Sequence, residues 1–371
     1  WGRSALNRRR FFRDLAAAAL PLSAPQLFAR DEDPASVRLP SEPIADVHVH
    51  LLGSNPANGC FLSKRFQKSF ALKFSRLFVD FGSGVTPEEQ DRAYVNRLMN
   101  MIVELPDSWR GVLLAMDGIY DSSGQLDLGE TLFLIPNDYI LSVASETEKL
   151  VPGASVNPYR KDALYELERV ASLGAAVVKW IPNTMGIDPS DKRIIPFYRR
   201  LNELGMTLLT HAGTEYAVGG AVDQKLGNPR LLQLPLEEGV TVIAAHCASG
   251  GGNSNGPYFR QFLQMLDDFP NLYGDISGLS LLHKSSSLRH LIRNPHYFNR
   301  LCYGSDFPLY YTPATSPFYF LGLISVSKAL ELQRIENDLL RDISTLMELN
   351  APQPFFRRGF EVVEKLRTAG S

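Results

Sequence analysis

The sequence predicts an α/β fold, a (β/α)8 TIM barrel, on three observations. Eight short runs rich in β-branched or apolar residues recur along the chain, each ended by polar or glycine residues. Stretches with helical spacing separate most of them. Five polar residues that close such runs, Lys179, His211, His246, Asp275 and Asp306, are 32, 35, 29 and 31 residues apart. One strand, one helix and two short loops need about that length. Near-continuous apolar strands alternating with helices imply parallel strands buried on both faces. A doubly wound open sheet shares this alternation, but no GxGxxG follows the first run.

From the amino terminus, Arg8, Arg9, Arg10 and Arg13 surround Phe11 and Phe12 and precede an uncharged stretch from Leu15 to Ala29. A basic head before a modest apolar run is the layout of an export signal, and adjacent arginines followed by Phe resemble the twin-arginine pattern. Residues 1–30 are therefore expected to direct export, giving a periplasmic or exported protein. The alternative is an amphipathic extension on a cytoplasmic one. Residues 31–43, with Pro34, Pro40 and Pro43, have linker composition, and the barrel domain is assigned to 44–371.

The predicted strands are Ile44–Leu52, Gly111–Asp117, Val151–Tyr159, Ala175–Pro182, Met206–Gly213, Val240–Ala248, Leu272–Gly278 and Leu301–Pro308. Lys161–Leu173, Ile194–Leu204, Tyr258–Phe269 and Ser286–Asn299 have apolar residues at helical spacing. The first two strands are anomalously far apart. Residues 57–108, rich in Phe, Leu and Arg, are expected to form two or three helices inserted over the barrel mouth. Pro317–Met347 is expected to supply one or two closing helices.

Composition narrows the function. With 44% hydrophobic and 21% charged residues, the chain is neither fibrous nor disordered. Beyond residue 30 there are 32 basic and 39 acidic side chains, so nothing resembles a nucleic-acid footprint. No uncharged apolar run approaches the roughly 20 residues that span a bilayer. The three cysteines, Cys60, Cys247 and Cys302, form neither a disulfide framework nor a CxxC site. A small-molecule substrate is the expected partner, and a homo-oligomer is compatible with the sequence.

The chemistry is carried by histidines. Of seven, His48, His50, His211 and His246 fall at the carboxyl ends of predicted strands, the rim where barrel active sites are built. The other three, His283, His290 and His296, share one later stretch. In Asp46-Val47-His48-Val49-His50, residues two apart point to the same face. His48 and His50 should thus aim into the mouth, with Asp46 one layer deeper and Val47 and Val49 outward against helices. His211 and His246 each close an apolar strand and precede a small residue. Asp306, in Cys302-Tyr303-Gly304-Ser305-Asp306-Phe307-Pro308, is a carboxylate at an apolar strand end, costly to bury unless paired or coordinated. Taken singly, each has a bland explanation as a satisfied core histidine or a helix cap. Together, four imidazoles and a carboxylate on one rim suit a divalent cation such as zinc.

The order HxH on strand one, His on strands five and six and Asp on strand eight resembles the amidohydrolase superfamily. Asp46–His50 as DxHxH and Gly304–Pro308 as GSDFP look most like its amidohydrolase-related branch, which includes aminocarboxymuconate-semialdehyde decarboxylase. The resemblance covers residues 44–308. It implies a metal set drawn from His48, His50, Lys179, His211, His246 and Asp306, holding one or two ions. In binuclear members, carboxylation of the strand-four lysine, here Lys179, bridges two metals. In mononuclear members, His48, His50, His211 and Asp306 hold one ion and His246 polarises the substrate. A free Lys179 would instead neutralise Asp306 or hold a substrate carboxylate.

Among other strand-end residues, Asp275 fits a capping role better than a contact to a histidine, and Cys247 fits packing. Tyr120, Asn157, Tyr159, Asn183 and Glu215 are candidates for substrate contact. The leading expectation is hydrolysis of an amide, ester or lactone, with Asp306 and His246 as catalytic groups. Non-oxidative decarboxylation of a carboxylated substrate is the second, and a non-catalytic metal-holding barrel the third.

Overall fold

The computed structural model describes residues 37–67, 85–215, 223–250, 256–308 and 315–369. The expected export signal and residues 68–84 of the expected insertion lie outside them.

One strand forms at each of the eight predicted runs, two of them starting one residue early. They are β1 (Ala45–His50), β2 (Arg110–Leu114), β3 (Leu150–Gly153), β4 (Val177–Trp180), β5 (Thr207–His211), β6 (Val242–Ala245), β7 (Leu272–Asp275) and β8 (Leu301–Cys302). Ladders pair β1-β2-β3 and β4-β5-β6-β7-β8, all parallel. Backbone hydrogen bonds cross both seams. Between β3 and β4, Ala154 N donates to Val177 O at 2.9 Å and Lys179 N to Ala154 O at 2.7 Å. Between β8 and β1, Val47 N donates to Tyr303 O at 3.0 Å and Asp306 N to His48 O at 2.9 Å. The ring of eight strands is thereby closed, as the sequence predicts.

The barrel interior is a single apolar cluster to which every strand contributes. Ala45, Val47, Val112, Leu114, Val151, Val177, Leu209, Ile243, Ala245 and Cys302 are buried in it, with Tyr273 packed against it. Alternation along β4 sends Val177 and Lys179 inward. Trp180 faces outward, its ring 5.6 Å from that of Phe197 on the helix Ile195–Glu203.

One strand breaks the alternation expected of it. Asp46 pairs with Gly111 and Val49 with Leu113, so β1 carries one more residue than β2 over that stretch. A bulge of this kind re-aims side chains. It places Val47 in the interior cluster, where strict alternation predicts it outside, and still leaves His48 and His50 at the mouth. Asp46 is turned out of the interior. Its Oδ1 accepts from His48 N at 3.1 Å and from Ser305 N at 2.9 Å, and burial raises its pKa to about 7, with Asp342 adding to the rise.

The helices follow the predicted stretches closely, at Ala163–Ser172, Ile195–Glu203, Pro257–Asp268 and Ser285–Arg293. Part of the expected insertion has a different role. Pro87–Val103, opened by a capping box between Thr86 and Glu89, is the crossover that parallel β1 and β2 require. Its Tyr94 Oη donates to His50 O at 2.9 Å. Two short strands that the sequence did not signal, Phe61–Leu62 and Phe133–Leu134, pair antiparallel. Pro317–Met347 supplies the helix Val326–Gln333 and most of Asp338–Glu348.

The carboxyl-terminal helices Pro354–Val362 and Glu364–Ala369 were not anticipated. Val363 and Leu366 join the interior cluster, so this segment stops one end of the barrel. A Cβ at Gly359 would lie 2.6 Å from Ala45 Cβ and 2.8 Å from Val47 Cγ1. Gly359→Ala would gain about 1 kcal/mol of helix propensity. Overpacking against the rigid strand costs about 1–3 kcal/mol and should win. Urea denaturation should therefore show a lower midpoint for this variant; an unchanged or higher one would mean that the helix shifts freely on β1.

Candidate functional site

The mouth is assembled by hydrogen bonds between strand ends. Asp306 N bonds the carbonyl of His48, which draws the β8 loop over β1. Three residues after β6 and one after β8 have positive φ: His246 at 58°, Cys247 at 50°, Ala248 at 53° and Asp306 at 58°. Non-glycine residues rarely adopt this region, and such strain concentrates where side chains must be aimed for function.

Four imidazoles form a row across the mouth. Ring centroids are 4.8 Å apart for His50 and His48, 5.3 Å for His48 and His246, and 5.0 Å for His246 and His211. Asp306 lies beside them, with Oδ1 3.5 Å from His48 Nε2 and 3.4 Å from His50 Nε2. The two Nε2 atoms are 3.0 Å apart. These three atoms make a triangle of nearly equal edges. Donors about 2.0–2.1 Å from a tetrahedral zinc ion lie about 3.3 Å from one another, so the triangle has the right size for a cation. His48, His246 and Asp306 also form a group whose ligand atoms all lie within 4.8 Å of one another.

Hydrogen bonds fix which nitrogen faces inward. His48 Nδ1 lies 2.9 Å from Asp275 Oδ2, and a buried carboxylate accepts, so Nδ1 carries the proton and Nε2 presents its lone pair. His246 Nδ1 donates to Ser277 O at 2.7 Å. His211 Nδ1 faces Glu215 Oε2 at 3.4 Å. The buried atoms His211 Nε2 and Asp306 Oδ2 have no hydrogen-bond partner among the described residues. Unsatisfied buried donors and acceptors are rare in folded proteins, and here they share one mouth.

Charge states agree with that geometry. Burial pushes the His50 and His211 pKa values down to about 4 and that of His246 well below its ordinary value. Burial alone would raise the pKa of Asp306, but His246, His48 and His50 together hold it well below the usual carboxylate range. Neutral imidazoles and an ionised carboxylate are the protonation states that bind metal. Lys179 Nζ is 2.8 Å from His48 Nε2, and burial lowers its pKa to about 8.

All six predicted site residues thus reach one mouth. His211 stands at the end of the row, beyond the triangle. Asp275 does more than cap. Its Oδ1 accepts from His246 N at 2.8 Å and Ser277 N at 3.0 Å while Oδ2 holds His48. Cys247 Sγ donates to Asp275 O at 3.1 Å, in keeping with a packing role. Of the substrate candidates, Glu215 and Asn183 are buried, and Asn183 Oδ1 has no hydrogen-bond partner among the described residues. Asn157 is spent on the backbone, its Nδ2 donating to Gly118 O at 2.9 Å and Met185 O at 3.0 Å. Tyr120 bonds Asp117, and Tyr159 bonds Asp191. His290 and His296 stack with Tyr297 away from the row, and His283 is exposed. Ser277, which contacts His48 and His246, and the buried Lys284 escaped sequence reasoning.

A profile of the amidohydrolase family matches residues 45–326, from the first residue of β1 past the GSDFP segment. The chain belongs to the amidohydrolase family. Two solved structures agree on the fold. An uncharacterized TIM-barrel protein from Bordetella bronchiseptica has 18% identity and a TM-score of 0.52, over 81% of this chain and 99% of that one. A probable 2-pyrone-4,6-dicarboxylic acid hydrolase from Acinetobacter baumannii has 15% identity and a TM-score of 0.50, over 85% and 99%. A 5-carboxyvanillate decarboxylase from Sphingomonas paucimobilis, at 13% identity and a TM-score of 0.43, covers 85% and 100%. No curated protein matches the chain. No helix among the described residues is long and apolar enough to cross a membrane.

The mouth leaves no room at Gly278. It has φ +65°, and a Cβ there would lie 2.8 Å from Asp306 Oδ2. Gly186 also has φ +65° but has nothing within 4 Å of its Cβ position. Gly186→Ala should lose about 1–2 kcal/mol, the cost of the left-handed conformation alone. Gly278→Ala should lose measurably more in the same denaturation assay. Equal losses would mean that Asp306 is free to move.

Proposed function

We propose that the protein is a metal-dependent hydrolase acting on an amide, ester or lactone-type bond of a small molecule. The triangle of His48 Nε2, His50 Nε2 and Asp306 Oδ1 carries this reading. These atoms would hold a divalent cation, with His246 and His211 presenting further nitrogens from the same row. The imidazole-rich donor set favours zinc. When bound, such an ion supplies Lewis acidity and lowers the pKa of water toward about 7.

The chain's own residues have separable tasks. Asp275 and Ser277 hold His48 and His246 with Nε2 inward. Asp306 is ionised and has an unshared Oδ2, so it can accept the proton of an attacking water and return it to the leaving group. His246, with its proton on Nδ1, offers a lone pair to the mouth and suits a ligand better than an electrophile. The Lys179 ammonium, at the edge of the triangle, is placed to meet negative charge on the substrate oxygen.

Decarboxylation is the second reading. An unmodified Lys179 beside a single cation would also suit a carboxylated substrate.

Asp306→Asn, assayed at saturating metal because the substitution also weakens one ligand of the triangle, should lose about 10²–10⁴-fold in turnover on lactone, ester or amide substrates, the usual worth of general acid–base catalysis. Full activity in this variant would remove Asp306 from the chemistry. Release of CO2 from carboxylated substrates, without hydrolysis of any neutral one, would select the lyase.

Metal analysis after growth with and without bicarbonate tests the role of Lys179. One ion per chain in both conditions fits a free lysine. Two ions, falling to one or none in Lys179→Met, would assign a bridging carbamate. Asp275→Asn should weaken metal binding about 10–100-fold by releasing His48 from its tautomer.

A further inference from the structure

We propose that Lys284 is a substrate anchor that binds a carboxylate or other oxyanion at the mouth, away from the metal triangle. The proposal rests on the metal-site reading above and adds to it a residue that determines specificity.

Lys284 follows β7 on the loop that begins at Gly278, whose backbone lies against Asp306 and His246. Its side chain is only 7% exposed. That loop leaves the carboxyl end of β7, where the strands open on the mouth, and in keeping with this place the charge of Lys284 is felt at Asp306, Glu215 and Asp275 and at His211, His246 and Lys179. Yet no hydrogen bond or ion pair reaches its Nζ among the described residues.

A lysine this buried, with no partner for its ammonium among the described residues, is unusual, because buried lysines are nearly always paired. The other nearby cations are committed. Lys179 Nζ is 2.8 Å from His48 Nε2. Arg160 is held by Asp117 at 3.3 Å and by Asp162 at 2.7 Å. Of these cations, Lys284 is the one with its donors to spare among the described residues.

The formal charges of the mouth point the same way. Among the described residues Asp275, Asp306 and Glu215 stand against Lys179 and Lys284, leaving one net negative charge. A divalent cation on the triangle turns that into one net positive charge. A substrate bearing one anionic group then neutralises the site, and Lys284 is the group with no other occupation.

The test uses the metal-loaded full chain and matched pairs of small probes, malonate with malonamide and benzoate with benzamide, followed by titration calorimetry. The wild type should prefer each carboxylate to its amide. Lys284→Met should weaken carboxylate binding about tenfold or more, the worth of a hydrogen bond to a charged group. Amide binding and metal content should not change. Lys284→Arg should recover most of the loss. Lys284→Met should also raise Tm, because it removes an uncompensated buried charge.

Equal carboxylate affinity in Lys284→Met, or no carboxylate binding to the wild type, would overturn the proposal. So would a lowered Tm accompanied by loss of metal, which would make Lys284 structural. If the wild type holds no metal, the hydrolase reading fails separately. The dependence of carboxylate binding on Lys284 can still be read in that protein.

Discussion

The buried carboxylate of Asp275 is the constraint on which the mouth depends. One oxygen fixes the imidazole of His48 from β1, and the other gathers the backbone N–H groups of His246 and Ser277. Burial opposes its ionisation, but the adjacent His48, with the hydrogen bonds the carboxylate receives, holds its pKa below the usual carboxylate range. An anion kept this way in a dry environment ties three parts of the rim to one point. The direction of Nε2 on two histidines follows from it, because a donor spent on Asp275 or on the Ser277 carbonyl cannot also face the cavity.

Around that point the site separates orientation from reactivity. Asp275, Ser277 and the carbonyl of Ser277 orient. The triangle of His48, His50 and Asp306 does not orient, and its electron-rich atoms lie closer together than uncompensated lone pairs prefer. The strain recorded in the positive φ of His246 and Asp306 is balanced by the ring of hydrogen-bonded strands beneath. A barrel tolerates this arrangement because its apolar interior supplies the stability and its loops carry the chemistry.

Most of the architecture was legible in the sequence because period and spacing carry it. Strand ends such as Thr207–His211 announce themselves as apolar runs closed by a polar residue, and the helical stretches repeat their apolar positions. The histidines and the carboxylate that meet at the mouth were legible for the same reason. The bulge in β1 was not, because Val47 is apolar and suits either face, so no residue type signals the extra position. Asp275 was underestimated because a capping carboxylate and one that holds an imidazole look alike until a distant strand arrives beside them. Lys284 lies in a loop of ordinary composition, and only the closed ring reveals that its ammonium is buried. The terminal helices were missed because Gly359 in a helix pattern weakens the signal locally, while its purpose is a close approach to Ala45.

That close approach has a consequence for how the molecule is made. The strand carrying His48 and His50 is made about 300 residues before the segment that clamps it from the opposite end, which holds Gly359, Val363 and Leu366. A growing chain that has not reached this segment has neither the floor of its barrel nor a settled height for its two leading histidines. The geometry of the mouth is therefore set by the far end of the domain as much as by the strand that carries it.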